Sequence, residues 1–176
     1  MAKREALREL QSRLAQRLQQ ARTEVRVVSW LAVECAGLGL LFPLPTAGEI
    51  FAVGTLLPVP HTQRWFMGVA NLRGGLHGVV DLAAFLGLRA PIAREAVREQ
   101  ARLLSLNARH GANCAVLIDR LAGLRSADQL KAEAAAAEET RPAFAGARWR
   151  DADGRIWQEI DLAALARNPQ FLAISA

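Results

Sequence analysis

Two cysteines, three histidines and two lysines are all that 176 residues supply of these types. Two cysteines are too few to staple a small scaffold, so a disulfide-built miniprotein is excluded. Both Cys35 and Cys114 lie in apolar, strand-like runs, where a buried reduced thiol is expected. The histidines, His61, His77 and His110, are far apart, and neither cysteine is spaced to join them, so no zinc pattern exists. The opening Met-Ala-Lys-Arg-Glu leads into alternating charges and not into an apolar leader core, which makes a cytoplasmic protein the expectation. The longest weakly charged window, Cys35 to Gln63, contains Pro43, Pro45, Pro58 and Pro60 and is not expected to cross a membrane.

The apolar fraction, 52%, excludes a disordered chain, and the length suits one domain or two small lobes sharing a core. The formal charge of +5 invites a nucleic-acid reading, but its distribution argues against one. Residues 1–26 hold seven basic and three acidic groups; the other 150 hold 15 and 14. The body is nearly neutral. No zinc finger, aromatic RNA-stacking motif or basic recognition helix is present, so no nucleic-acid partner is expected.

Residues 3–26 read as one amphipathic helix, with Leu7, Leu10, Leu14, Leu18, Ala21 and Val25 at steps of three and four. The stripe fits packing on the body of the same chain, on a second copy or on a partner. The chain therefore divides into an N-terminal amphipathic helix, 1–28, and a body with a C-terminal extension, 29–176. From Arg26 the period changes to that of strands. A hairpin is expected between the run ending at Cys35 and Leu40–Pro43, turned by Ala36-Gly-Leu-Gly39. Further strands are read at 49–53, 56–60, 65–73, 76–82, 102–107 and 112–118, with Gly74-Gly75 joining one pair and Ala108–Gly111 another. Residues 126–141 read as an exposed helix or linker opened by a Ser126 cap. Residues 144–150 and 155–160 pair across Asp151-Ala-Asp-Gly154. A short helix over 161–167, stopped by Asn168-Pro169, closes the chain. Many short strands at this spacing indicate small barrels or a sandwich.

Chemistry is sparse. Arg73-Gly-Gly-Leu-His-Gly lacks the Gly-Lys-Ser/Thr ending that holds a nucleotide phosphate, and Asp151-Ala-Asp-Gly continues into a strand where a calcium loop needs an acidic ligand. No catalytic, cofactor-binding or metal-binding residues are assigned, and an enzyme is not expected. The distinctive segment is Gly68-Val-Ala-Asn-Leu-Arg-Gly-Gly-Leu-His-Gly-Val-Val-Asp-Leu82, an arch of two apolar strands around a glycine-rich turn. Arg73 stands beside two buried strands and must find a carboxylate or carbonyl, or point to solvent.

That segment resembles the signature of CheW-like domains, the coupling proteins of bacterial chemosensory arrays. Leu40-Leu-Phe-Pro-Leu, Ala47-Gly-Glu-Ile, Leu57-Pro-Val-Pro and Cys114-Ala-Val-Leu-Ile-Asp-Arg-Leu-Ala-Gly-Leu resemble other family segments in the same order. The resemblance covers roughly 29–165. The N-terminal helix, the Trp65 loop and the ending Gly154-Arg-Ile-Trp-Gln-Glu-Ile-Asp-Leu162 with Asn168-Pro-Gln-Phe-Leu172 are most similar to PilI-type proteins of type IV pilus (twitching) systems. His77 and Gly78 depart from the family, which usually shows proline there.

The resemblance implies a mainly β fold: two small five-stranded SH3-like β-barrel lobes sharing a hydrophobic interface. It implies a non-catalytic adaptor with no cofactor, joining the cytoplasmic tip of a methyl-accepting chemoreceptor to the regulatory domain of a CheA-type histidine kinase. A coupling protein of a flagellar or other chemosensory pathway is the alternative. Membrane association would be indirect, through the receptor, with the protein at receptor arrays. Glu49 and Arg73 match a charged pair in the family's contact region, Asn71 and Gly74 shape the arch, and Ile50 and Val69 are apolar residues of either core or interface.

Overall fold

The computed structural model describes residues 29–134 and 141–176. The helix expected over 3–26, and with it the division at residue 28, lies outside the described residues. Among the described residues, eleven strands form two sheets. Strands β1 (Ser29–Cys35), β2 (Leu38–Pro43), β8 (Arg120–Ser126), β9 (Lys131–Glu133), β10 (Ala145–Arg150) and β11 (Ile156–Ile160) make one, ordered β8-β1-β2-β11-β10-β9. Strands β3 (Ala47–Ala52), β4 (Phe66–Leu72), β5 (Gly75–Asp81), β6 (Arg102–Leu106) and β7 (Cys114–Ile118) make the other, ordered β3-β6-β7-β5-β4. The first lobe is thus built from both ends of the described chain and the second from its middle. The two-lobed, mainly β architecture is present, with six strands in the first sheet where five are expected.

Side-chain alternation explains where the cores sit. On β1, Leu31, Val33 and Cys35 face one way, and Trp30 and Ala32 the other. The first set joins Leu40 and Phe42 against Phe66, Val80, Leu104, Val116 and Ile118 of the second sheet, forming the largest core between the lobes. Trp30, Ala32 and Leu41 pack with Leu130 and Trp157 inside the first lobe. Met67, Leu72, Val79, Leu103 and Leu117 fill the second. Strands with both faces buried read as unbroken apolar runs, which is why β1, β2 and β7 stand out in the sequence.

Local turns follow their chemistry. Ala36 and Gly37, with φ of 49° and 82°, join β1 to β2, and Gly154, with φ of 83°, ends the turn between β10 and β11. The β4–β5 turn is centred on Arg73-Gly74 and not on Gly74-Gly75, since both central residues have positive φ, at 51° and 83°, and Leu72 pairs with Gly75. That is the primed turn matched to strand twist. The strand expected at 56–60 is absent. Pro58 and Pro60 have no N–H for a ladder, so only Leu57 pairs, with Val69 of β4.

The cap signal at Ser126 is real, but it serves a single 3-10 turn. Ser126 and Gln129 form a reciprocal capping box over Ala127–Gln129, and the chain then enters β9 beside buried Leu130. Of the exposed helix or linker expected over 126–141, residues 131–133 form a strand edge, and residues 135–140 lie outside the described residues. At the far end, Asp161 caps α2 (Leu162–Leu165). Asn168-Pro169 does not simply stop it: Asn168 caps and Pro169 opens a further turn, α3 (Pro169–Leu172). A turn not anticipated in the arch, α1 (Leu82–Phe85), follows β5 directly, capped by Asp81.

The lobes also meet through charge. Asp81 is fully buried and is held by Arg89 at 2.6 Å. The same guanidinium reaches Asp119 at 3.3 Å. Asp119 accepts the Ala36 N–H of the β1–β2 turn at 2.7 Å and gives its own N–H to the Glu34 carbonyl. A buried carboxylate requires such partners.

Candidate functional site

The distinctive arch of the sequence and β3 meet at one groove. Its lining includes Glu49, Ile50, Phe51 and Thr55 on one side and Asn71 and Arg73 on the other, around a volume of about 350 Å³. β3 and β4 are the two outer strands of the five-stranded sheet, so the sheet curls until its edges face each other across this groove.

Each side chain is set by its backbone. The Asn71 side-chain oxygen accepts the Gly74 N–H at 2.8 Å and closes the turn. Arg73, in the left-handed region, is thrust outward from the turn, and its Nε lies 2.9 Å from Glu49 Oε2. The side chains are 75% and 52% exposed, so the pair adds little stability and instead fixes which charges stand at the rim.

Glu49 is placed by a register shift in β3 between Ala47 and Ile50. The Ser105 hydroxyl accepts the Glu49 N–H at 2.9 Å and donates to its carbonyl at 3.3 Å. Gly48 is needed beside it, because a Cβ there would strike the Ser105 carbonyl. Ser105, buried between Leu104 and Leu106, and Gly48 were legible only as a polar interruption and a glycine before an acid.

The six residues singled out in the sequence do not all fall together. Glu49, Ile50, Asn71 and Arg73 line the groove, and Gly74 forms the turn above it. Ile50, 41% exposed, belongs to the surface. Val69 does not line the groove; it is half-buried against the interlobe core and pairs through its backbone with Leu57. Gly68, with φ of 118°, lets that pairing happen, since a Cβ would run into the Leu57 carbonyl.

Burial pushes both thiols up to about 12, so Cys35 and Cys114 stay protonated near neutral pH and are poor nucleophiles. Among the described residues, no three His, Cys, Asp or Glu side chains are grouped to hold a metal. Among the same residues, no helix is long and apolar enough to cross a membrane.

A sequence profile of the CheW-like domain matches residues 29–170. The chain belongs to the CheW-like domain family. CheW-like proteins are non-catalytic scaffolds, and this chain is a coupling or scaffold protein of chemotaxis signalling. The fold is similar to that of the scaffolding protein TtCheW from Thermoanaerobacter tengcongensis, with a TM-score of 0.62 over 78% of this chain and 86% of that one, at 15% identity. No curated protein matches the sequence. In the CheW-like framework the groove is a surface feature on the outer edges of one lobe, away from the interlobe core.

Proposed function

We propose that this CheW-like chain is an adaptor of a type IV pilus (twitching) chemosensory pathway. It joins the cytoplasmic tip of a methyl-accepting chemoreceptor to the regulatory domain of a CheA-type histidine kinase. It works in the cytoplasm, at receptor arrays, and reaches the membrane only through the receptor. One observation carries the reading: an exposed carboxylate–guanidinium pair, Glu49–Arg73, held at the rim of a groove beside the exposed Ile50. A surface pair of this kind contributes little to folding and much to the orientation of a charged partner. Support for the pilus pathway comes from the sequence, in the expected N-terminal helix, the Trp65 loop and the Gly154–Leu162 and Asn168–Leu172 ending.

The test is binding of purified protein to the kinase regulatory domain and to a receptor-tip fragment, each immobilised separately. Arg73→Glu abolishes or severely weakens at least one of the two, and Glu49→Arg/Arg73→Glu recovers part of it. Wild-type binding to neither partner sinks the reading, as does wild-type affinity in Arg73→Glu. For the pathway, loss of twitching with intact swimming in a deletion strain supports the pilus assignment; the reverse supports a flagellar one.

A further inference from the structure

The family match ends at residue 170, and the residue that follows is one of the most buried side chains near that end of the molecule. Phe171 is 3% exposed, while Leu172 to Ala176 are all exposed. Its ring stacks on Trp65 with centroids 6.4 Å apart and planes 6° from parallel, and it meets Phe85 edge-on at 5.2 Å. Beyond it, the backbone pairs with the loop that leads into β4. The Gln63 N–H donates to the Ile174 carbonyl at 2.8 Å, and the Ala176 N–H donates to the His61 carbonyl at 3.1 Å. The Gln63 side-chain amide donates to the Ser175 carbonyl at 2.8 Å.

The loop itself has few means of holding its shape. Pro58 and Pro60 carry no N–H, and His61 sits at φ of 56°, a conformation that costs a residue with a Cβ. Within the loop, Thr62 Oγ1 donates to the Val59 carbonyl, and the Phe66 N–H donates to the Gln63 carbonyl. From outside, the Leu57 end is held by the reciprocal Leu57–Val69 pairing at 2.8 Å in each direction, the Trp65 end by the Asp81 N–H, which donates to the Trp65 carbonyl at 2.8 Å, and by the Phe85 ring 5.2 Å away, and the stretch between them by the C-terminal segment.

We infer that residues 171–176 form a clasp that positions the Leu57–Trp65 loop and, through Leu57, the outer edge of β4 and its hairpin. Phe171 is the positioning residue. It touches no partner-facing side chain named above and acts through Trp65. The clasp begins in α3, beyond the first lobe's last strand, with Phe171 at the rim of the interlobe core, and continues through residues 174–176 onto a loop of the second lobe, so it extends the tie between the lobes past their common core.

The test is amide exchange on the full-length protein, comparing wild type with Phe171→Ala, Phe171→Leu and a variant lacking residues 174–176. The last removes the backbone bonds and leaves the ring in place. The amides of Leu57 and Val69 exchange about tenfold faster or more in Phe171→Ala and in the shortened variant, while Leu103 and Val116 in the core keep their rates. Phe171→Leu restores most of the protection. Wild-type rates at Leu57 and Val69 in both variants overturn the inference. So does a rise at those amides only in step with Leu103, which marks global destabilisation. The link to partner binding rests on the proposed function and is read separately, as affinity for the kinase regulatory domain. Faster exchange with unchanged affinity supports the clasp and counts against β4 and its hairpin as a partner-facing element.

Discussion

Arg89 places its guanidinium 2.6 Å from the carboxylate of Asp81, a side chain only 1% exposed. The contact joins the end of β5 to the chain after α1. Through the second branch of the same guanidinium it reaches Asp119, which is bonded to the first lobe's hairpin turn. Burial lowers the Arg89 pKa, but the two carboxylates outweigh it and hold it above the ordinary arginine value. Removing Arg89 leaves the buried Asp81 carboxylate without its counter-ion, which is costly, whereas removing both groups is much less so; removing Asp81 leaves Arg89, 21% exposed, with Asp119.

Asp81→Ala destabilises the fold by about 2–3 kcal/mol, because it removes hydrogen bonds to a buried charged group while Arg89 keeps Asp119. The variant also loses the cap that accepts the Ala84 N–H. Denaturant unfolding checks it, and an Asp81→Leu/Arg89→Met double variant recovers most of the loss. Equal destabilisation in single and double variants would show that the cap, and not the charge pairing, is what matters.

The turn at Arg73 opposes local comfort to function. Its φ of 51° suits asparagine better than arginine. Arg73→Asn leaves stability unchanged or raises it by up to about 1 kcal/mol, because the lost ion pair is exposed and weak. The same change weakens partner binding. Parallel thermal melts and binding isotherms measure both; a variant that loses stability as well would make the pair structural.

Two glycines should respond differently to alanine. A Cβ on Gly74 would meet only open space, but φ there is 83°, so Gly74→Ala costs about 1 kcal/mol from backbone strain alone. Gly68 has φ of 118° and the Leu57 carbonyl in the way, so Gly68→Ala costs about 3 kcal/mol or more. Comparison of unfolding midpoints checks the order, and equal costs would remove the close approach of the loop to β4 as a constraint.

Acid stability has a defined source. The hydrogen bond from Arg120 is the main cause that holds the Glu34 carboxyl below the ordinary value of 4.5; burial opposes it, and Arg155 adds to the lowering. For Asp151 the Trp157 indole N–H, 2.8 Å away, is the leading cause of a value below 3.8. Groups depressed in the folded state contribute stability that is complete above their unfolded values and is lost as pH falls through the folded ones. Unfolding free energy thus holds above pH 4.5 and declines below it. Glu34→Gln flattens that decline, and an unchanged slope in the variant would assign the acid sensitivity elsewhere.

Much of this molecule was legible before any tertiary contact was known. The hairpins within Ala36–Gly39 and at Asp151–Gly154 are written in adjacent residues, because a two-strand turn needs only positive φ at its centre and apolar alternation on either side; pairing of Cys35 with Leu38 narrows the first to Ala36-Gly37. The arch at 68–82 and the ordered family segments identified the fold, and the resemblance brought Glu49 and Arg73 together before their 2.9 Å contact was seen. Other features had no local signature. The parallel pairings of β2 with β11 and β5 with β7 join segments remote in sequence, and no periodicity within either partner specifies them. The sixth strand, β9, is three residues long and exists only because β10 offers it an edge. Ile50 and Val69 look alike as apolar strand residues; the β3 register shift and the curl of the sheet put one on the surface and leave the other against the interlobe core. The sequence alone determined the turns, the strand faces and the family, all properties of short-range sterics and pattern. Tertiary structure decided which strands share a sheet, which apolar faces stay uncovered, and that Phe171 would close on Trp65, because those depend on long-range packing.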